Sequence, residues 1–179
     1  MNQRKLSAWI AIASFLMPSI GLAILPHNES TVAAEIVTSK RAPFSSAAGR
    51  FSIEFPSEPE ITNEKMKEGL TIYSFIVANE KGFYQVGYYD VDSLQNFSRK
   101  ETRKLLDELP SIYLEPLQAK LINAKNIKIG NDLGKEFNFT VSGQSGRGQI
   151  YIVKDRVYIA TAIDTPSEMS SFLNSFRLR

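Results

Sequence analysis

The chain of 179 residues contains no cysteine, and its one histidine is His27. Without a thiol there can be no disulfide framework, no thiolate nucleophile, no Cys-ligated zinc and no iron–sulfur cluster. A bacterial lipoprotein is excluded too, because its lipid is carried on a cysteine at the cleavage site. His27 lies in the apolar N-terminal region, so the remainder of the chain has no imidazole. Ser–His–Asp catalysis, His-ligated metals and histidine pH switching are therefore not expected of it. Charge of one sign is scarce as well: 21 Lys and Arg face 19 Asp and Glu, a net of +2. That balance creates no global field to attract nucleic acid or an anionic membrane.

What is present fits an ordinary globular protein, with 43% hydrophobic and 22% charged residues. The length corresponds to one domain able to bury about two-thirds of its unfolded surface without a metal or disulfide. Residues 1–34 have the layout of an export signal. Arg4 and Lys5 open it, Leu6 to Leu25 carry no charge, and Thr31-Val32-Ala33-Ala34 supply small residues for a signal peptidase, with cleavage expected after Ala34 or, alternatively, Ala33. The competing reading is a retained membrane anchor over residues 6–25, since about 20 apolar residues span a bilayer of roughly 30 Å. Either reading places the globular part outside the cytoplasm. Cleavage would remove Arg4, Lys5 and Glu29 from the 21 and 19, leaving a nearly neutral 19 against 18. Residues 35–49 are small and polar without a period and read as a flexible linker.

From Arg50 onward the pattern predicts an α+β domain, an antiparallel sheet flanked by helices. Phe51-Ser52-Ile53-Glu54-Phe55 alternates as a half-buried strand does. Residues 60–67 suggest a polar edge strand, and 70–77 and 82–91 a hairpin turning at Asn79-Glu80-Lys81-Gly82. Ser98-Arg99-Lys100-Glu101 is a capping box that should open a helix. At about 100° per residue, Leu105, Leu106, Leu109, Ile112 and Tyr113 share one side and Arg99, Lys100, Arg103 and Lys104 the other. Pro110 should kink or split this helix. Four strands are expected over 126–130, 134–141, 147–153 and 156–163. A final helix follows Thr165-Pro166-Ser167-Glu168, with Met169, Phe172, Leu173 and Phe176 in one stripe.

No catalytic site stands out. Gly143-Gln144-Ser145-Gly146-Arg147-Gly148 looks superficially like a phosphate cradle, but a strand follows it instead of a helix, so a hairpin connection is expected. Asp90 and Asp92 would share a face on an extended chain and could hold a cation such as calcium if further oxygens joined them. The alternative is a solvated strand end. The basic side of the first helix (Arg99, Lys100, Arg103, Lys104) is either the wet side of an amphipathic helix or a docking face for an acidic protein. The tyrosines fit sheet packing, with a ligand groove or interface as the alternative.

Several segments in order resemble the PsbP-like group: Gly49-Arg50-Phe51-Ser52-Ile53-Glu54-Phe55-Pro56; Gly134-Lys135-Glu136-Phe137; Gly148 to Tyr158; and Phe172-Leu173-Asn174-Ser175-Phe176-Arg177-Leu178. The resemblance spans nearly all of residues 50–179 and implies an α/β/α sandwich. It further implies a non-enzymatic binding or assembly protein of the thylakoid lumen or periplasm, with a protein partner and, in photosynthetic relatives, an association with photosystem II. Cyanobacterial PsbP carries its lipid on a cysteine that this chain lacks, and metal-ligating positions of some relatives have no counterpart here. No cofactor is expected; calcium or manganese has no residue set to support it. The rival readings are a small-ligand carrier using the tyrosine-rich sheet, an envelope protein of another role, and a hydrolase of unfamiliar type.

Overall fold

A computed structural model describes residues 42–66 and 69–179. The signal or anchor, the Ala34 cleavage point and His27 lie outside the described residues. In chain order the elements are β1 (Ala42–Ser46), β2 (Phe51–Phe55), β3 (Glu60–Lys65), β4 (Thr71–Asn79), β5 (Gly82–Asp90), a 3₁₀ turn (Asp92–Asn96) and α1 (Arg99–Leu114). They continue with β6 (Lys120–Ile129), β7 (Asp132–Val141), β8 (Gln144–Val153), β9 (Arg156–Ile163), α2 (Pro166–Asn174) and β10 (Arg177–Leu178). The α+β class expected from the pattern is the one observed.

Seven strands form one antiparallel sheet in the order β3-β4-β5-β9-β8-β7-β6. Two meanders, β3–β5 and β6–β9, meet where β5 pairs with β9. α1 is the long connection between them; it crosses one face and packs on β6, β7 and β8. The opposite face is covered by α2 together with a small sheet, β1-β2-β10. The layers are thus helix, sheet, and a mixed helix-and-sheet layer.

Alternation feeds two separate cores, since successive side chains of a strand leave on opposite sides. Along β5, Phe83 and Tyr89 join the α1-side core with Leu106, Leu109, Phe137, Ile150 and Val157. Tyr84, Val86 and Tyr88 join the other core with Phe51, Ile53, Phe55, Phe172 and Phe176. The second core is ring-rich: Phe51 stacks on Phe176 at 5.7 Å, and Phe55 meets Phe172 at 5.2 Å. Such pairs add about 0.5–1.5 kcal/mol each beyond the area they bury.

Three boundaries differ from expectation. The linker of residues 35–49 does not extend as far as read, because Ala42–Ser46 pairs with β2 along Ala42↔Phe55 to Ser46↔Phe51. Phe44 draws that strand in, packing on Phe75 at 5.1 Å and Phe55 at 5.8 Å. Pro110 does not split α1, which continues through it to Leu114; Leu106, Leu109, Pro110, Tyr113 and Leu114 are all buried along one stripe, and that packing holds the helix together across the missing amide. Finally, β6 starts at Lys120, earlier than expected, because its exposed polar side chains hide a ladder with β7 that is interrupted only by a register shift between Leu121 and Asn123.

Candidate functional site

The basic face expected on the first helix is built by its cap. Ser98 Oγ accepts from the Glu101 amide at 3.3 Å, and Glu101 Oε2 accepts from the Ser98 amide at 2.9 Å and the Ser98 hydroxyl at 2.7 Å. The Ser98 side-chain bond, followed by the backbone bond, holds the Glu101 carboxyl below its usual range. This carboxylate is therefore committed to the cap. Arg99, Lys100, Arg103 and Lys104 all point to solvent. Among the described residues none of the four is paired with a carboxylate. The four cations occupy the first two turns of the helix, and Arg99 and Lys100 sit on the first, where the helix dipole is positive and adds to their field.

Asp90 ends β5 and Asp92 opens the 3₁₀ turn, with Val91 extended between them (φ −140°, ψ 98°). Asp90 is forked by Arg156: Nε to Oδ1 at 2.5 Å and Nη2 to Oδ2 at 2.8 Å. Arg156 also donates to the Ala48 carbonyl at 2.8 Å and lies 4.4 Å from the Tyr88 ring centroid. Its hydrogen bonds to Asp90 push the guanidinium further up its already high range. This corner ties the small sheet to the large one. Among the described residues no group of three His, Cys, Asp or Glu side chains gathers as a metal site would need.

Of the Gly143–Gly148 segment only Gly143 lies in the hairpin turn, which is tighter than expected. Ser142 and Gly143 both have positive φ, 50° and 80°, which suits a two-residue turn between twisted strands. Gln144 to Gly148 belong to β8. The tyrosines are consumed by packing. Register aligns Tyr73, Tyr88, Tyr158 and Tyr151 in one row across β4, β5, β9 and β8. Tyr73 stacks on Tyr88 at 4.9 Å and is the exposed end of the row; Phe176 stacks on Tyr151 at 5.7 Å. The row is a packed aromatic layer whose Tyr73 end reaches the surface.

Cross-strand register also builds a polar shelf that sequence reasoning missed. On β6, β7 and β8, beside α2, one row runs Lys125–Glu136–Gln149 and the next Asn123–Asn138–Arg147. Lys125 pairs with Glu136 at 2.8 Å, Gln149 donates to Glu136 at 3.1 Å, and Tyr151 donates to Gln149 at 3.1 Å. Asn138 donates to Asn123 at 2.8 Å, while Arg147 donates to Asn138 at 3.1 Å and to Ser170 of α2 at 2.8 Å. Burial raises the Glu136 pKa, but the Lys125 and Gln149 hydrogen bonds outweigh it and leave the carboxyl below its usual range. Sequence spacing alone could not align these residues, because their adjacency exists only in the ladder.

Architecture and surface together define an antiparallel α+β protein with a basic helical face and a hydrogen-bonded polar shelf. Its fold is similar to that of cyanobacterial PsbP. The solution structure of that protein (CyanoP) from Synechocystis sp. PCC 6803 superposes with a TM-score of 0.56 over 83% of this chain and 98% of that one, at 9% identity. A Bacteroides thetaiotaomicron structure (TM-score 0.37, 15% identity, 76% of this chain and 48% of that one) and the protein of unknown function PA94 from Pseudomonas aeruginosa (0.34, 13%, 72% and 85%) align more loosely. No family model and no curated protein matches the sequence. Among the described residues, no helix is long and apolar enough to cross a membrane.

Proposed function

We propose that this chain is an exported, non-enzymatic docking or assembly protein of the PsbP-like family. Its Arg99–Lys104 face meets an acidic protein surface in the thylakoid lumen or periplasm. The observation that carries the reading is the exposed, unpaired cation set on the first two turns of α1. Cations at the positive end of a helix cost stability, about 0.3–1 kcal/mol each in the first turn. Folding alone therefore favours other residues there, whereas a negative partner would be drawn to that field. The fold shared with cyanobacterial PsbP and the signal-like N-terminus support an extracytoplasmic setting. Association with photosystem II is the finer form of this proposal, and it includes no cofactor.

The test uses the full chain and two charge-reversal variants, R99E/K100E and R103E/K104E. The first should raise the melting temperature, because acidic residues suit the helix start. Both should lose salt-sensitive capture of a membrane-complex partner from solubilised membranes of the source organism. Capture by both variants at wild-type strength would refute the docking face. Equal binding of the wild type to vesicles of phosphatidylglycerol would make lipid the partner and refute the protein-partner reading.

A further inference from the structure

The large sheet is open, with β3 at one end and β6 at the other. Each end strand turns a row of backbone amides and carbonyls outward, which makes it a template for one more strand. The two ends differ in charge. β3 and the residue before Pro59 carry Glu58, Glu60 and Glu64 against Lys65, whereas β6 carries Lys120, Lys125 and Lys128 and no acid. Lys125 is neutralised by Glu136. Glu60, Glu64, Lys120 and Lys128 have no ion-pair partner among the described residues, so each end keeps its sign.

Apolar exposure gathers at the same two places. Among the described residues the most exposed large hydrophobic side chains are Ile61 on β3 at 60%, Ile122 on β6 at 53%, and Tyr73 on β4. Ile61 pairs with Phe75 and Asn63 with Tyr73, so Tyr73 lies diagonal to Ile61 on one face of the sheet. Ile122 is the extra residue of the register shift in β6, and a bulge re-aims such a side chain. Beyond it the ladder with β7 runs unbroken from Asn123 to Ile129, long enough to cover the six residues of β3.

Charge on an edge strand commonly keeps copies of a protein apart. Here it does so only for like ends: β3 repels a second β3 and β6 a second β6, while β3 and β6 attract. An exposed isoleucine at each end adds nothing to such protection. We propose that β3 of one copy of this chain docks on β6 of a second copy and continues the sheet from molecule to molecule. Each contact joins unlike edges and leaves one edge of each kind free, so assembly proceeds head to tail into a ring or a filament. A strand-to-strand contact of this length is small, under about 1,200 Å² in total, so the association is weak and depends on concentration. It uses none of the α1 cations and does not depend on what they bind.

Sedimentation velocity of the full chain tests this, in mild detergent to hold the apolar residues 6–25 in solution. The wild type should gain mass with concentration and return to monomer at high salt. E60K/E64K makes both ends basic and K120E/K128E makes both acidic; each variant should lose the association. The chain carrying all four substitutions reverses both signs and should regain it. A wild type that stays monomeric at every concentration, or association that survives in either variant at wild-type strength, would overturn the proposal. A second measurement needs no variant. Amide hydrogen exchange in the wild type should slow with rising concentration across residues 60–65 and 123–129, and exchange unchanged in either strand would refute the contact.

Discussion

Raising the pH above 10 should unfold this protein through its tyrosines, and Tyr113 sets the scale. Burial pushes its phenol up from 10.0 to about 12, with the Thr161 hydrogen bond pulling slightly the other way. Burial likewise raises Tyr151 to about 12, and Tyr88, Tyr89 and Tyr158 shift upward for the same leading cause. A phenol with a raised folded-state pKa ionises first in the unfolded chain. Its contribution is therefore complete below pH 10 and is lost as pH rises toward the folded value. Two units at about 1.4 kcal/mol each give Tyr113 a contribution of roughly 2.7 kcal/mol, about half of it gone by pH 11. Urea unfolding at pH 7, 9, 10 and 11 should show stability flat to pH 9 and falling steeply afterwards. Tyr113→Phe removes one titration and also one buried hydrogen bond, worth about 1 kcal/mol. The variant should thus be less stable than wild type at pH 7 and nearly equal to it at pH 11. Parallel curves for the two proteins, or phenolate absorbance at 295 nm appearing near pH 10 in the folded state for all tyrosines, would refute the reasoning.

Three further outcomes follow from specific contacts. Ser98→Ala removes the cap that accepts from the Glu101 amide and should cost about 1 kcal/mol in urea unfolding, with loss of helical ellipticity. Gly148→Ala drives a methyl to 2.3 Å from Phe137 Cζ, a ring with no exposure of its own, and overpacking of this kind should cost about 1–3 kcal/mol in thermal unfolding. Arg156→Lys keeps the charge but loses the planar fork on Asp90 and the bond to Ala48. A loss of about 1–2 kcal/mol is expected, with earlier proteolysis at residues 42–50 as the small sheet detaches.

The parts of this fold that were legible in the sequence are those whose signals are local. The Ser98–Glu101 box, the Thr165-Pro166 helix start and the Asn79–Gly82 turn each act within four residues, and each forms where expected; Thr165 Oγ1 accepts from the Glu168 amide, and Asn79 Oδ1 accepts from the Lys81 and Gly82 amides. β1 was hidden because Ala-Pro-Phe-Ser-Ser has little strand propensity, and its partner β2 supplies the ladder. β6 was half hidden because an edge strand facing solvent on much of its length has no hydrophobic period. The shelf and the Asp90–Arg156 fork were not legible at all. Asn123 and Asn138 lie 15 apart in sequence and Asp90 and Arg156 lie 66 apart; only sheet register brings them together.

The two helices provide an internal comparison for the basic face. α2 follows the dipole rule: its first turn holds Pro166, Ser167 and Glu168, and no cation. α1 starts with an equally good cap but places Arg99 and Lys100 directly after it, and its one first-turn acid, Glu101, is occupied by Ser98. Both helices bury an apolar stripe against the same sheet, so packing does not account for the difference. Nor does solubility, because four like charges within six positions repel one another, and an interspersed surface would serve it better. A constraint acting outside the folded chain is what remains, and a negatively charged partner surface satisfies it. If R99E/K100E left the melting temperature unchanged or lowered it, the cations would be at no energetic disadvantage, and this inference from the helix to a partner would fail at its first step.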